Sequence, residues 1–356
     1  MSDSFIKINT LSVSKNLADF VKNELLTGLD VNEKDFWDGF DKSINELAPI
    51  NKKLLEIRET LQSEIDLWLK KNKNGEFNHQ EYKNFLKEIG YLKEEGNDFK
   101  IDTKKLDSEI SSIAGPQLVV PIMNSRYTLN AANARWVSLY DSLYGTDLIE
   151  SEETGSQKYD PLRGQEVIRY AREFLNDHFS INEIHWKDIN GFKIKGSDLK
   201  ILKDDKEFEL VDKNKFIGYR GEPNNPTTII LENNNLKIEI IINPKAFSAV
   251  QDAAGISDII IESAISTICD NEDSVAAVDS EDKILCYRNW LGLMKGTLKS
   301  VFEKDGKTLE RKLNPDRSYI SKDNKKEKLH GRSLLLIRNV GHLMTNSAII
   351  LEDGSE

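Results

Sequence analysis

The chain has 356 residues, of which 38% are hydrophobic and 31% are charged, and its formal net charge at pH 7 is −11. This composition is typical of a folded globular protein with two or three domains rather than of a disordered chain. The excess of acidic residues argues against a general attraction to nucleic acid or to an anionic membrane.

Cysteine content and the first residues bear on the cellular compartment. Cys269 and Cys286 are the only cysteines, too few for a disulfide framework, and each lies in an apolar context that predicts a buried free thiol. The start, MSDSFIKINT, lacks the basic and apolar regions of a signal peptide, and no apolar run is long enough to cross a bilayer. We therefore expect a cytoplasmic protein without a nucleic-acid or membrane partner.

The first ninety residues have helical periodicity. Apolar residues recur at spacings of three and four over 17–26, 36–47 and 54–69, which predicts three helices. A turn built on Asn74-Gly75 follows, and a further helix is predicted at His79–Ile89. This pattern indicates a helical subdomain.

Three short apolar runs predict buried strands: Gln117–Ile122, Ile265–Cys269 and Ser333–Val340. An acidic turn follows the second run, and then a helix with a predicted apolar face. That face comprises Ile284, Tyr287, Leu291, Met294 and Leu298. The order is strand, acidic loop, helix; in a barrel of alternating strands and helices, the loop after a strand carries the chemistry.

A different pattern lies between the first two runs. Helices are predicted at Asn130–Tyr144 and Pro161–Phe179, and four short strands follow them. The predicted strands are Phe192–Ile194, Phe208–Val211, Thr227–Leu231 and Leu236–Ile242. This region reads as an α/β module, either inserted into another domain or placed in tandem with it.

Two groups of charged residues are candidates for chemistry. Arg338 ends an apolar strand, where a guanidinium serves either a structural ion pair or an anion site, and the residues alone favour neither. The turn with Asp270, Glu272 and Asp273 can hold Mg²⁺ through water. A solvated or helix-capping loop is the interpretation that the turn alone favours.

Three long stretches resemble malate synthase G, and they occur in the family's order. They are GPQLVVPIMNSRYTLNAANARWVSLYDSLYGTD (Gly115–Asp147), NEDSVAAVDSEDKILCYRNWLGLMKGTL (Asn271–Leu298) and LHGRSLLLIRNVGHLMTN (Leu329–Asn346). Because the family's chain is about twice as long, the resemblance implies that this sequence is the N-terminal portion.

The resemblance also implies a fold of the α/β class. It would be a partial TIM (β/α)8 barrel with an N-terminal helical clasp and an inserted α/β domain. The implied division assigns 1–114 to the clasp and its connection. The first part of the barrel takes 115–134, 264–298 and 329–356, and the inserted domain takes 135–263 and 299–328.

The family forms malate and CoA from acetyl-CoA, glyoxylate and water in the glyoxylate cycle. By resemblance, Arg338 would be catalytic, binding glyoxylate and stabilising the enolate that forms from acetyl-CoA; arginine suits this role because it stays charged and offers paired donors. The residues matching the family's acetyl-CoA contacts are Val119, Arg126, Tyr127, Ser274 and Arg311.

The resemblance places the aspartate base and the direct Mg²⁺ ligands beyond Glu356. Glu272 matches a residue near the metal's water shell, so no direct metal ligand is predicted within the chain. We therefore expect the chain alone to be inactive, with a complementing C-terminal half as a further partner; the complete family enzyme is expected to be a monomer. The alternatives are a non-catalytic CoA-binding or structural module of a split or truncated protein, and a nucleotide-binding protein that uses Arg126 and Arg311.

Overall fold

The computed structural model describes residues 4–149, 159–250, 252–304, 306–339 and 347–356. The chain has a mixed α/β fold, as predicted, and divides into two compact units. The first unit comprises Met1–Lys105, Val278–Ile284 and Thr345–Glu356. The second unit comprises Leu106–Ala277 and Leu285–Met344.

The α-helices are α1 (Lys15–Phe20), α2 (Glu33–Lys71), α3 (His79–Glu88), α4 (Ser108–Ser111), α5 (Ser125–Asn133), α6 (Leu139–Tyr144), α7 (Pro161–His178) and α8 (Ser280–Met294). The strands before α8 are β1 (Phe5–Ile8), β2 (Leu11–Ser14), β3 (Gln117–Pro121), β4 (Trp136–Ser138), β5 (Gly191–Lys195), β6 (Asp198–Lys203), β7 (Lys206–Phe208), β8 (Phe216–Glu222), β9 (Asn225–Asn233), β10 (Leu236–Ile242), β11 (Ile256–Glu262) and β12 (Ser266–Asp270). The later strands are β13 (Lys299–Lys304), β14 (Lys307–Lys312), β15 (Arg317–Ser321), β16 (Lys326–Leu329), β17 (Leu334–Arg338) and β18 (Ile349–Ile350).

In the first unit, the prediction of three helices before residue 71 is wrong in number. The chain forms α1, a π-helical turn at Val21–Leu25, and then the single 39-residue helix α2, which continues through Pro49. Leu47 and Leu54 lie two turns apart, so the two predicted apolar stripes are in phase and belong to one helix. The predicted helix at His79–Ile89 is confirmed as α3.

The three predicted strands are confirmed in the second unit as one parallel sheet with the order β17-β12-β3. Their predicted burial is confirmed only for β12, because β17 is half-buried along its length and Val119 of β3 is 57% exposed. The last predicted residue of the third strand, Val340, lies outside the described residues. In the strand register, Asp270 at the end of β12 is opposite Arg338 of β17 and Pro121 of β3. The carboxyl ends of β12 and β17 therefore bring the acidic side chain of Asp270 and the basic side chain of Arg338 together.

The helix after β12 is confirmed, but its predicted apolar face is partly wrong. Met294 is 60% exposed, whereas Cys286, Asn289 and Leu293 are buried. The side-chain amide of Asn289 donates to the carbonyl oxygen of Ile122 at 2.9 Å, which rotates a polar residue into the sheet side of the helix. Hydrogen bonding thus overrides the apolar periodicity.

A seven-stranded antiparallel sheet forms the second main layer of this unit, with the order β16-β15-β8-β9-β10-β11-β4. Helix α7 packs on it through Val167, Ala171 and Leu175, which join the same buried cluster as Ile229 and Ile240. The predicted strands Thr227–Leu231 and Leu236–Ile242 are confirmed within β9 and β10, which form an antiparallel hairpin. Its turn residues Asn234 and Asn235 have φ values of 51° and 64°, a conformation that asparagine tolerates.

The single helix predicted at Asn130–Tyr144 is wrong. Helix α5 ends at Asn133, β4 then pairs with β11, and α6 begins after Ser138. The Ser138 hydroxyl accepts a hydrogen bond from the backbone N–H of Asp141 at 2.9 Å, which caps the new helix. Tertiary strand pairing therefore interrupts a sequence with helical periodicity.

None of the helices that the structure describes combines sufficient length with sufficient apolar character to span a bilayer.

We expect Ile240→Ala to lower the free energy of unfolding by about 2–5 kcal/mol, because it opens a cavity in a closely packed core. Ile240 has no exposed surface, whereas Val211 is 63% exposed. Urea denaturation of Ile240→Ala and of the control Val211→Ala checks this, and we expect the control to change stability by less than about 0.5 kcal/mol. Equal losses for the two variants would contradict the placement of the core.

Candidate functional site

The site begins with a two-point ion pair between Arg338 and Asp270. Nε of Arg338 lies 2.6 Å from Oδ1 of Asp270, and Nη2 lies 2.9 Å from Oδ2. The Asp270 side chain has no exposed surface, whereas that of Arg338 is 40% exposed. Such fork-like pairing fixes the plane of the guanidinium as well as its charge.

The loop after β12 holds the Asp270 carboxylate in place. The backbone N–H of Glu272 donates to Oδ1 at 3.2 Å, and the backbone N–H of Ser274 donates to Oδ2 at 3.1 Å. The Ser274 hydroxyl also donates to Oδ2. The Arg338 guanidinium, helped by these donors, holds the pKa of the Asp270 carboxyl well below its usual range.

Two further carboxylates surround the same guanidinium. Asp273 is paired with Nη2 of Arg338, and an oxygen of Glu272 lies 3.6 Å from that nitrogen. Oxygens of Asp270, Glu272 and Asp273 lie within 4.8 Å of one another. Oxygen donors of this kind are the ligands that Mg²⁺ prefers, and the surplus of negative charge over one guanidinium favours a cation nearby.

A second group brings together two arginines that lie far apart in sequence. The guanidinium carbon of Arg126, on α5, lies 4.1 Å from the ring centre of Phe302, and that of Arg311 lies 5.8 Å from it. Phe302 and Arg311 share one face of the β13–β14 hairpin, because their register partners are Leu309 and Ser300. The result is a basic surface suited to a phosphate.

The other predicted coenzyme residues, Val119, Tyr127 and Ser274, differ in exposure and in their hydrogen bonds. Val119 on β3 is 57% exposed and Tyr127 on α5 is 56% exposed, so both are accessible to a ligand. Asn124 caps α5 by accepting the backbone N–H of Tyr127 at 3.0 Å. Ser274 instead lies against Asp270 in the acidic turn. The roles of all these residues stay predictions.

Sequence reasoning missed several residues of the site. Asp270 was predicted only as part of an acidic turn, not as the partner of Arg338. The side-chain amide of Asn271 donates to Oδ1 of Asn339 at 3.0 Å, and the Oδ1 atom of Asn271 is buried without a partner. Polar residues directly after two predicted parallel strands were the available signal, because the carboxyl ends of such strands meet.

Cys269 precedes Asp270 on β12 and is fully buried. Burial raises the pKa of the Cys269 thiol to about 12. The thiol therefore stays protonated at neutral pH, and it acts as a packing group beneath the site rather than as a nucleophile.

Comparison with known proteins gives two family matches. Residues 16–78 match the N-terminal domain of malate synthase, and residues 159–233 match the alpha-beta insertion domain of malate synthase G. These two ranges lie in the predicted clasp and the predicted inserted domain, respectively.

Curated relatives named malate synthase G match almost the whole chain. The protein of Halalkalibacterium halodurans is 45% identical over 99% of this chain, and that of Corynebacterium efficiens is 44% identical over 99%. The Corynebacterium glutamicum protein is 46% identical over 97% of the chain. The alignments cover 49%, 47% and 47% of these relatives, so the chain spans about half the length of the curated relatives it matches.

We expect Cys269 to resist alkylation by iodoacetamide at pH 8 in the folded protein, because burial blocks access and its pKa of about 12 leaves almost no thiolate. Peptide mapping by mass spectrometry measures the labelling of Cys269. The same reaction in urea is the control, since the unfolded thiol has a pKa of about 8.5 and should react readily. Equal labelling rates in the two conditions would refute the expectation.

Proposed function

The chain is related to malate synthase G along almost all of its length, and on this premise we propose that the protein carrying it condenses acetyl-CoA with glyoxylate and water, giving malate and CoA. The observation that carries the proposal is the Asp270–Arg338 pair at the carboxyl ends of two parallel strands, where α/β enzymes place their chemistry. The glyoxylate cycle is the corresponding pathway.

Arg338 is the proposed catalytic residue of the segment. Its Nε and Nη2 atoms are bonded to Asp270 and Asp273, while Nη1 donates no hydrogen bond to the residues that the structure describes. Nη1 is therefore the donor for glyoxylate and for the enolate oxygen that develops from acetyl-CoA. A fixed cation at a developing oxyanion lowers the barrier because it needs no rearrangement during the reaction.

Mg²⁺ is the proposed metal, and the carboxylate oxygens of the acidic turn fit its preference for oxygen. When bound, the ion would polarise the aldehyde of glyoxylate. In the proposed arrangement Glu272 holds water molecules around the ion. By the same likeness, the direct ligands and the aspartate base belong to the part of malate synthase G that this chain does not span.

The proposed coenzyme surface comprises Arg126 and Arg311 around Phe302, together with the exposed residues Val119 on β3 and Tyr127 on α5. The two guanidinium groups would bind phosphates of acetyl-CoA, and Tyr127 offers an aromatic face. The proposed contact of Ser274 with acetyl-CoA would use the same hydroxyl that bonds to Asp270. Ser274 would then contact both acetyl-CoA and the carboxylate that binds Arg338, and so would connect the coenzyme surface with the Arg338 ion pair.

The finer description of the fold belongs to the same proposal. Strands β3, β12 and β17 would be the first strands of a TIM (β/α)8 barrel, and the seven-stranded sheet would belong to the inserted α/β domain, for which the family resemblance implies the ranges 135–263 and 299–328. A helical clasp, a monomeric state and a cytoplasmic location follow from the same family likeness. The parallel pairing of the three strands supports the barrel.

One observation favours a second candidate, a non-catalytic CoA-binding module. The two arginines and Phe302 come together within this chain, whereas the proposed base and metal ligands do not belong to it. Coenzyme binding without condensation is therefore compatible with the described residues. Measuring binding and turnover separately distinguishes the two functions.

In a full-length protein carrying this sequence, we expect malate to form from glyoxylate and acetyl-CoA with Mg²⁺. We expect Arg338→Lys to lower kcat by about a hundredfold, because lysine keeps the charge but loses the paired donors. Steady-state kinetics and a thermal melt measure the two effects. A wild-type protein that consumes no glyoxylate would overturn the proposed function; a large fall in Tm with unchanged kcat would make Arg338 a structural residue.

We expect Arg311→Gln to weaken CoA binding by about 1–2 kcal/mol, or roughly 5- to 30-fold, because a hydrogen bond to a charged group is lost. Isothermal titration of CoA measures the change. Arg58→Gln is a matched control, since Arg58 is an exposed residue on α2 with 70% of its side chain accessible. Equal affinities for the two variants would remove Arg311 from the coenzyme surface.

A further inference from the structure

Arg338 needs a partner that selects one of its conformations. Its side chain is 40% exposed at the edge of a sheet, and a free arginine there would retain much of the rotamer entropy that its long side chain carries. A donor whose position fluctuates contributes little to a transition state, because the rate depends on geometry already in place. The residue that removes this freedom is therefore as important as the guanidinium.

We propose that Asp270 is the positioning residue of the site, and that its buried carboxylate fixes the Nε–Nη2 edge of Arg338 so that Nη1 is presented to the glyoxylate oxygen. This inference rests on the proposed function. It adds a role for Asp270, a residue that the family likeness does not single out and whose sequence context predicts only a place in an acidic turn.

The hydrogen bonds of Asp270 account for its rigidity. Its two oxygens accept five bonds: two from Arg338, two from backbone N–H groups and one from the Ser274 hydroxyl. A carboxylate has about four lone-pair directions, so these acceptors are saturated. Asp270 therefore has no free lone pair for a metal ion, and its carboxylate is committed to holding Arg338 and the loop.

Asp273 differs from Asp270 in a way that separates their roles. Asp273 makes one contact with Nη2, and 68% of its side chain is exposed. A single exposed contact leaves the guanidinium free to rotate, whereas two parallel bonds to a fully buried carboxylate do not. The geometry assigns orientation to Asp270 and leaves Asp273 as an exchangeable partner.

The first test is a double-mutant cycle in the full-length protein, with Asp270→Asn, Arg338→Ala and the combination. The asparagine amide turns a donor toward the guanidinium, so we expect Asp270→Asn to lower kcat by about 10- to 100-fold, with KM for acetyl-CoA changed by less than about threefold. On the Arg338→Ala background it should have no further effect on kcat, because Asp270 acts through Arg338.

Asp323→Asn is the matched charge control, since Asp323 is exposed and lies on the β15–β16 turn. An Asp270→Asn protein with kcat within twofold of the wild type would overturn the proposal. Losses that multiply in the combined variant would also overturn it, because they would show that Asp270 acts on the fold and not through Arg338.

A second measurement does not depend on turnover. It therefore tests whether Asp270 holds the Arg338 side chain even if the full-length protein forms no malate. In ¹⁵N NMR spectra of arginine side chains, a hydrogen-bonded Nε–H exchanges slowly with water. We expect one slowly exchanging Nε–H signal that disappears in Arg338→Lys, which assigns it, and that broadens in Asp270→Asn. The same signal unchanged in Asp270→Asn would show that Asp270 does not hold Arg338.

Discussion

The ion pair between Asp270 and Arg338 is the interaction on which the carboxyl edge of the parallel sheet depends. Removing Arg338 would leave the Asp270 carboxylate, whose side chain has no exposed surface, without its closest counter-ion. The two residues occupy one register position on β12 and β17. Since a slip of one residue would move a side chain to the opposite face of the sheet, correct strand register and correct site geometry are a single condition.

Sequence patterns were sufficient for the elements whose own residues determine their secondary structure. The run Leu118–Ile122 is continuously apolar, and the run Leu236–Ile242 alternates apolar and charged residues before it ends in three isoleucines. Strands β3 and β10 form at these two runs. The sequence patterns failed where pairing with a segment that is distant in sequence decides the local structure. The segment Trp136–Ser138 has helical periodicity, but β11 pairs with it and makes it a strand. In α8, the hydrogen bond from Asn289 to the Ile122 carbonyl turns the helix away from its most apolar face, which periodicity alone does not record.

The same distinction applies to the site. The position of Arg338 at the end of an apolar run identified it as a residue for chemistry, but whether it would bind an anion or form an ion pair was undecided. The structure shows the ion pair with Asp270, and Nη1 donates no hydrogen bond within the described part of the chain, so the two alternatives do not exclude each other. The group around Phe302 was less accessible to prediction, because it requires a hairpin and a helix to meet.

Charge separates the two sides of the proposed site. The acidic turn has three carboxylates for one guanidinium, whereas Arg126 and Arg311 make the hairpin side basic. Phosphates are attracted to the arginines and repelled by the carboxylates, and a divalent cation experiences the opposite forces. Strand β3 pairs with β12 and leads directly into α5, so the parallel sheet carries both regions. In the proposed function, a coenzyme with phosphates at one end and a thioester at the other would therefore be favoured in one orientation, with its acyl group on the side that Arg338 occupies.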